Sequence, residues 1–235
     1  MKRLAAAVLV LAGVALFINL GAWQLRRADE KRALLDARER RAEQPPLAAL
    51  PGQGWEDERY RRISLAGQYD ADRQVLLDNQ VYNARAGYHV LTPLIPREGG
   101  CAVLVNRGWV PAGPVRSELP TLTITQADAR VEGVIDHFPS VGLRLRGAEA
   151  LGAGYPLVAQ ALDAARLSER IGYCLQPYQI LLAAQAGDGY VREWRMQHID
   201  PDKSLGYAFQ WFAMAAALAV YASWIAWRHR PGRSN

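Results

Sequence analysis

The run from Leu205 to Trp227, LGYAFQWFAMAAALAVYASWIAW, carries no charged side chain. About 20 apolar residues in helical form cross the hydrocarbon core of a bilayer, so this run has the length and composition of a membrane span. Tyr207 and Trp211 stand at one end and Trp224 and Trp227 at the other, where amphipathic rings suit the two headgroup regions, and Arg228 and Arg230 follow. Gln210, Ala213 and Ala217 fall on one helical face, an amide followed by two small residues. That pattern favours close approach of a second helix, from this chain or from a partner protein.

A second apolar run lies at the other end. After Lys2 and Arg3 it extends from Leu4 to Ile18 and continues through Asn19, Leu20, Gly21, Ala22 and Trp23. A signal peptide would end in an A-x-A-like pair of small residues, and Leu20 fits poorly at the third position before a cut after Ala22. The run therefore reads as an uncleaved helix with Trp23 as its interfacial anchor. Two spans put both termini on one side of a membrane and the intervening chain on the other. The flanking charges conflict, because Lys2, Arg3, Arg228, Arg230 and Arg233 favour cytoplasmic termini while Arg26, Arg27, Lys31 and Arg32 flank the first span on its other side. Long loops translocate largely regardless of charge, and the middle region of about 175 residues far exceeds the short-loop limit of roughly 60. The expectation is an exported middle region with cytoplasmic termini.

Arg26 to Arg41 alternates basic and acidic residues around Leu34 and Leu35, as a helix continuing out of the span would. Pro45-Pro46 ends it, and Leu47 to Glu58 reads as a linker. The centre is built of short apolar or alternating runs. They are Ile63–Leu65 with Tyr69, Gln74–Leu77, Tyr88–Ile95, Cys101–Val110, Arg130–Ile135 and Tyr178–Leu182. Asp78-Asn79 and Gly99-Gly100 look like hairpin connections. Pro139 to Gly154 is irregular, and Pro156 to Ile171 reads as a helix with Leu157, Ala161, Ala164, Ala165 and Leu167 on one side. The expected fold is a membrane-anchored α+β chain: two transmembrane helices flanking a mainly antiparallel β domain, a small barrel or folded sheet, with one helical insertion. Its parts are a transmembrane helix over 1–25, a membrane-proximal helix and linker over 26–58 and an exported β-rich domain over 59–199. A second transmembrane helix over 204–227 and a basic cytoplasmic tail over 228–235 complete it.

Chemistry is sparse. A net charge of +5 comes with no nucleic-acid-binding pattern, so no nucleic-acid partner is expected. Cys101 and Cys174 would pair in an oxidising compartment, although Cys101, heading an apolar strand, reads better as a small core residue. There is no C-x-x-C, no nucleophile motif and no H-E-x-x-H, and nothing argues for an enzyme or a metal site. His89, His137, His198 and His229 show no ligand spacing. His198 is singled out because it stands just before the second span, where a haem at the membrane surface would need an imidazole. The conspicuous string is Val105-Asn106-Arg107-Gly108-Trp109-Val110-Pro111. It has two readings: a bulge with a cation–π pair between Arg107 and Trp109 or another ring, and a partner-contact site, since Arg and Trp dominate interfaces.

These residues resemble the surfeit locus protein 1 family of cytochrome c oxidase assembly factors. Gly21, Trp23, Gln24, Leu25, Arg27 and Lys31 are similar to its element at the exit of the first span, and Tyr60-Arg61 with Gly67 to its first strand. Leu76-Leu77-Asp78-Asn79, Gly87-Tyr88 and Thr92-Pro93-Leu94 follow in order. Val105 to Pro111 is similar to the family's most recognisable string, with Asn106, Arg107, Gly108 and Trp109 at its centre. Gly206-Tyr207-Ala208, Gln210 and Trp211-Phe212 match the start of the second span. The resemblance implies a multi-pass inner-membrane protein whose central domain faces the periplasm or intermembrane space. It also implies a non-enzymatic role in maturing oxidase subunit I, around insertion of its haem a. The implied partners are subunit I, other oxidase assembly proteins and the lipid bilayer. No intrinsic cofactor is implied, and haem a would be held transiently. Bacterial relatives often carry a histidine, a proposed haem ligand, where this chain has Ser204, and a hydroxyl is a poor iron ligand. Any haem contact then falls to His198. The alternative reading is a membrane-tethered periplasmic sensor or binding module.

Overall fold

In chain order the computed structural model contains α1 (Lys2–Glu43), β1 (Arg62–Tyr69), β2 (Val75–Tyr82), β3 (Arg85–Pro96), β4 (Ala102–Pro111), β5 (Asp128–His137), β6 (Leu157–Ala159), α2 (Ala164–Ile171), β7 (Leu175–Leu182) and α3 (Pro201–Arg228). The structure describes residues 1–115, 118–139, 151–152, 154–187, 189–194 and 199–228. It divides into two units, residues 1–37 with 196–235, and residues 38–195.

The strands of the second unit follow the order β1-β5-β7-β4-β3, and a further pairing of β1 with β3 closes these five into a barrel. Closure depends on the length of β3. Its end, Leu94–Pro96, pairs with Gly67–Tyr69 of β1, while its beginning pairs with β2, so one strand serves both the ring and a flap outside it. Every contact in the ring is antiparallel except β4 with β7. Ile63, Leu65, Leu94, Val103, Val105, Val131, Ile135, Tyr178, Ile180 and Leu182 fill the interior. A second core on the outer face packs Leu77, Leu91, Ala102, Leu104, Leu157, Leu167, Ile171 and Leu175 together. β4 therefore contributes Val103 and Val105 inward and Ala102 and Leu104 outward, and every β4 residue but Pro111 is buried. This double burial is why its sequence is a near-continuous apolar run rather than an alternation.

Three local expectations are corrected here. The helix expected over Pro156–Ile171 begins only at Ala164. Leu157–Ala159 instead forms β6, parallel to Val75–Leu77, because the edge of β2 offers hydrogen bonds that local helical propensity does not outweigh. Asp163 then caps α2, its carboxylate accepting the Arg166 N–H at 3.0 Å. Asp78-Asn79 is not a hairpin turn but a bulge inside β2. The turn is Asn83-Ala84, both at positive φ, the geometry that matches the twist of paired strands. Gly99-Gly100 does connect β3 to β4. Finally, Cys101 is not a lone core thiol but is disulfide-bonded to Cys174. Most of the expected irregular stretch, residues 140–150 and 153, lies outside the described residues.

In the first unit α1 and α3 run antiparallel. Phe17 stacks on Trp211 at 5.8 Å, a Cβ on Gly21 would lie 2.7 Å from the Phe212 ring, and Lys31 Nζ donates to Ser204 Oγ at 3.0 Å and to the Asp200 carbonyl at 2.9 Å. Ala28, Ser204, Ala208 and Ala215 are buried in the seam. Spacings of four and seven residues along α3 keep one stripe against a neighbour. Gln210, Ala213 and Ala217 lie outside that stripe and are exposed. Both helices are long and apolar enough to cross a membrane, and Leu9, Leu11, Leu16, Phe209 and Val220 stand exposed on them.

Candidate functional site

The conspicuous string sits where β4 parts from β7. Their parallel pairing reaches Asn106 opposite Leu181 and stops. On the other side of β4, Asn106 faces Leu91 while Trp109 faces His89, so Arg107 and Gly108 together oppose Val90. This is the expected bulge. Gly108 takes φ +118° there, a value side chains rarely adopt.

The edge of β4 released by β7 is taken up by the segment Tyr190–Trp194. Tyr190 N–H donates to the Arg107 carbonyl at 2.7 Å, Trp109 N–H to the Val191 carbonyl at 2.8 Å, and Val191 N–H to the Trp109 carbonyl at 3.2 Å. Side chains fasten the same strap. Tyr82 Oη donates to Glu193 Oε1 at 2.7 Å, Trp194 Nε1 donates to the Leu182 carbonyl at 2.8 Å, and Arg192 Nη1 reaches the carbonyls of Ala183 and Ala186. A Cβ at Gly108 would lie 2.7 Å from the Val191 carbonyl oxygen. The glycine serves the close approach of the strap.

Beneath the strap lies a buried polar layer. Arg107 is 1% exposed. Its guanidinium donates to Gln74 Oε1 at 3.3 Å and to the Thr123 carbonyl at 2.6 Å, and lies over the rings of Tyr190 at 5.2 Å and Tyr69 at 5.8 Å. A buried cation costs several kcal/mol to desolvate, and these carbonyls and ring faces offset that cost. The arginine thus sits in the domain interior rather than at a contact surface. The rings over which it lies are tyrosines contributed by β1 and the strap. Asn106, also 1% exposed, donates from Nδ2 to Gln179 Oε1 at 3.1 Å and to His89 Nδ1 at 3.3 Å, and accepts the Gly108 N–H on Oδ1. Gln179 in turn donates to the His137 carbonyl. Trp109 donates Nε1–H to the Gln80 carbonyl at 3.0 Å and packs on Tyr82. Buried polar groups are paired as burial demands. Thr92, from the family-like Thr92-Pro93-Leu94, joins the layer by donating to Gln74 Oε1 at 3.0 Å, whereas sequence reasoning assigned no role to Gln74, Gln179 and Tyr190.

Neither described histidine, His89 nor His137, presents a free ring nitrogen to a haem iron. The Gly108 N–H fixes the Asn106 amide, so His89 Nδ1 accepts from it and Nε2 keeps the proton, leaving no open lone pair for iron. Burial, with an edge contact to Trp194, pushes the His89 pKa down to about 4. At His137, Nε2 lies 2.8 Å from Arg59 Nη2, and a guanidinium can only donate, so that lone pair is also used. Ser204 Oγ accepts from Lys31. His198 and His229 lie outside the described residues. Of the remaining motif residues, Trp23 and Tyr207 are exposed, Gln24 is half-buried, and Arg27 pairs with Glu30 at 3.4 Å.

A closed barrel whose most elaborate polar site is an internal joint, carried in sequence between two long apolar helices, defines a helix-flanked barrel domain. The model of the SURF1 family matches residues 11–216, and the chain belongs to that family. It is 31% identical over 94 residues to the cytochrome oxidase assembly protein SHY1 of Saccharomyces cerevisiae, a match covering 39% of this chain and 24% of that protein. To the surfeit locus protein 1 of Takifugu rubripes it is 28% identical over 134 residues, 50% of this chain and 55% of the relative. A SURF1-like protein of Mycobacterium tuberculosis is 27% identical over 186 residues, 73% of this chain and 61% of the relative. Each match thus spans less than two thirds of the relative's length.

Proposed function

We propose that this chain is a membrane-anchored, non-enzymatic assembly factor for cytochrome oxidase that assists maturation of subunit I, around insertion of its haem a. The observation that carries the reading is membership of the SURF1 family across residues 11–216, joined to the name of the yeast relative as an oxidase assembly protein. In this reading α1 and α3 cross the inner membrane. Exposed apolar side chains on both helices are disfavoured in water and at home in lipid, and Trp23 and Tyr207 mark the headgroup zone. The termini are cytoplasmic and the barrel lies on the periplasmic or intermembrane-space side, a placement supported by the bonded cysteines.

The proposed oxidase contact is the face of α3 carrying Gln210, Ala213 and Ala217, all three exposed. Haem a is handled transiently in this reading, and with the ring nitrogens of His89 and His137 engaged by Asn106 and Arg59, His198 is the position to test. The experiment is a pull-down of the full chain solubilised in mild detergent, probed for oxidase subunit I and for haem. Recovery of subunit I supports the assembly factor. A stable chain that recovers no oxidase subunit in any growth phase supports the sensor or binding module instead.

A further inference from the structure

Cys101 and Cys174 are the two cysteines of the chain, and the barrel itself brings them together. Cys101 immediately precedes Ala102 on β4 and Cys174 immediately precedes Leu175 on β7. Ala102 and Leu175 are partners in the parallel ladder, and the Ala102 N–H donates to the Cys174 carbonyl at 2.9 Å. This backbone pairing accompanies a Cα separation of 4.9 Å, inside the range of about 4.4–6.8 Å that a disulfide needs. The two thiols therefore meet as soon as the ladder forms, with no rearrangement. The cysteines differ in access. Cys101 is half-buried at the head of the most buried strand, whereas Cys174 is exposed, three residues beyond α2 and just past Gly172 at φ +94°.

We propose that this pair is a thiol–disulfide exchange site entered at Cys174, and that its partner is a protein dithiol oxidase, a protein carrying a reducible disulfide, outside the cytoplasm. In the first step the Cys174 thiolate attacks one sulfur of the oxidant's disulfide, forming a mixed disulfide and expelling one oxidant thiolate. Cys101 thiolate then attacks the Cys174 sulfur, forming the internal bond and expelling the second oxidant thiolate. Two electrons pass to the oxidant's disulfide, and the two cysteine protons are released to solvent or taken up by the oxidant's thiolates. The barrel's own ladder supplies the alignment, so the oxidant need engage only the exposed end of β7. The bond closes a loop spanning 73 residues, which contains β4, β5, β6 and α2, and it fastens the outer core over β4. The inference rests on the exported placement of the barrel.

The test uses the full chain in native membranes, with free thiols blocked by N-ethylmaleimide before reduction and labelling with maleimide-polyethylene glycol. Two labels are expected after reduction and none when reduction is omitted, whereas free thiols in the unreduced chain overturn the inference. A reporter active only outside the cytoplasm, fused near Asp128, separates the two failures. An active reporter with free thiols sinks the exchange site alone, and a silent reporter sinks the exported placement as well. Entry at Cys174 is read on the wild-type chain by brief exposure to reduced glutathione followed by mass spectrometry. The mixed disulfide is expected on the Cys174 peptide in several-fold excess, and equal or reversed labelling overturns it. In cells, Cys101→Ser is expected to trap a reductant-sensitive adduct with the dithiol oxidase that Cys174→Ser does not, and a lack of any difference between the two counts against the route.

Discussion

Replacing Gly108 by alanine puts a methyl group where the strap approaches the β4 bulge. The added Cβ would lie 2.7 Å from the Val191 carbonyl oxygen, 2.9 Å from Arg192 Cγ and 3.0 Å from the Tyr190 carbonyl carbon, two of them backbone atoms that cannot swing aside as a side-chain end can. Relief requires the strap to withdraw, which stretches the three backbone hydrogen bonds between Arg107, Trp109 and the strap. Each is worth about 1 kcal/mol net. A non-glycine residue at φ +118° adds about 1–3 kcal/mol of backbone strain. The expected loss is about 4–6 kcal/mol, on the order of a 10–20 °C fall in melting temperature for a domain of this size. Gly99→Ala is the matched control, because Gly99 also has positive φ, at +84°, but nothing lies within 4 Å of its added Cβ. Thermal unfolding of the two variants, with hydrogen exchange at the Trp109 and Val191 amides, isolates the contribution of the strap. If Gly108→Ala and Gly99→Ala melt together and those amides stay protected, the glycine is not there for the strap and the reasoning fails.

His89, held neutral by burial with its pKa near 4, titrates at about 6.5 when unfolded. The unfolded chain then binds the extra proton first, so stability is intact above pH 6.5 and falls by roughly 3 kcal/mol as the pH drops toward 4. His89→Gln should flatten that part of the pH–stability curve, and an unchanged curve refutes it. Arg107→Ala empties an interior site and strands the carbonyl of Thr123. It should lower protein stability by about 3 kcal/mol, read as a fall in both melting temperature and steady-state level, whereas a fully stable variant with impaired oxidase would make Arg107 a contact residue after all. Between the helices, Gly21→Val should disrupt the α1–α3 seam at Phe212 while Ala213→Leu, on an exposed face, should not. Cysteine cross-linking across the seam reads both outcomes. Under the proposed oxidase contact Ala213→Leu lowers oxidase assembly instead, and equal cross-linking and equal assembly in both variants refute the two faces together.

Much of the strand inventory is legible in the sequence because alternation and glycine-marked turns are local signals. Arg62–Tyr69 alternates its burial, and Gly99-Gly100 punctuates the chain before a strand. The bulge at Asn106-Arg107-Gly108 is legible for the same reason, an amide and a glycine interrupting a branched run. Closure of the barrel is not, since the β1–β3 and β4–β7 pairings join distant segments and leave no periodic trace. β6 is hidden because Leu157-Val158-Ala159 continues into an alanine-rich stretch with helical spacing, and only the open edge of β2 decides its conformation. Arg107 is misjudged by any reading in which charge implies exposure. Its burial depends on ring faces from Tyr69 and Tyr190 far away in sequence. The disulfide follows from a ladder that the cysteines themselves do not reveal.

The central claim, that this chain assists cytochrome oxidase assembly, is tested most directly by deleting its gene in the source organism and quantifying assembled oxidase in the membranes through the haem a absorption band and subunit I abundance. The account predicts that both fall several-fold and return when the full chain is supplied, and that the Gly108→Ala chain restores them less well in proportion to its lower level. Unchanged haem a absorption and subunit I in the deletion would contradict it.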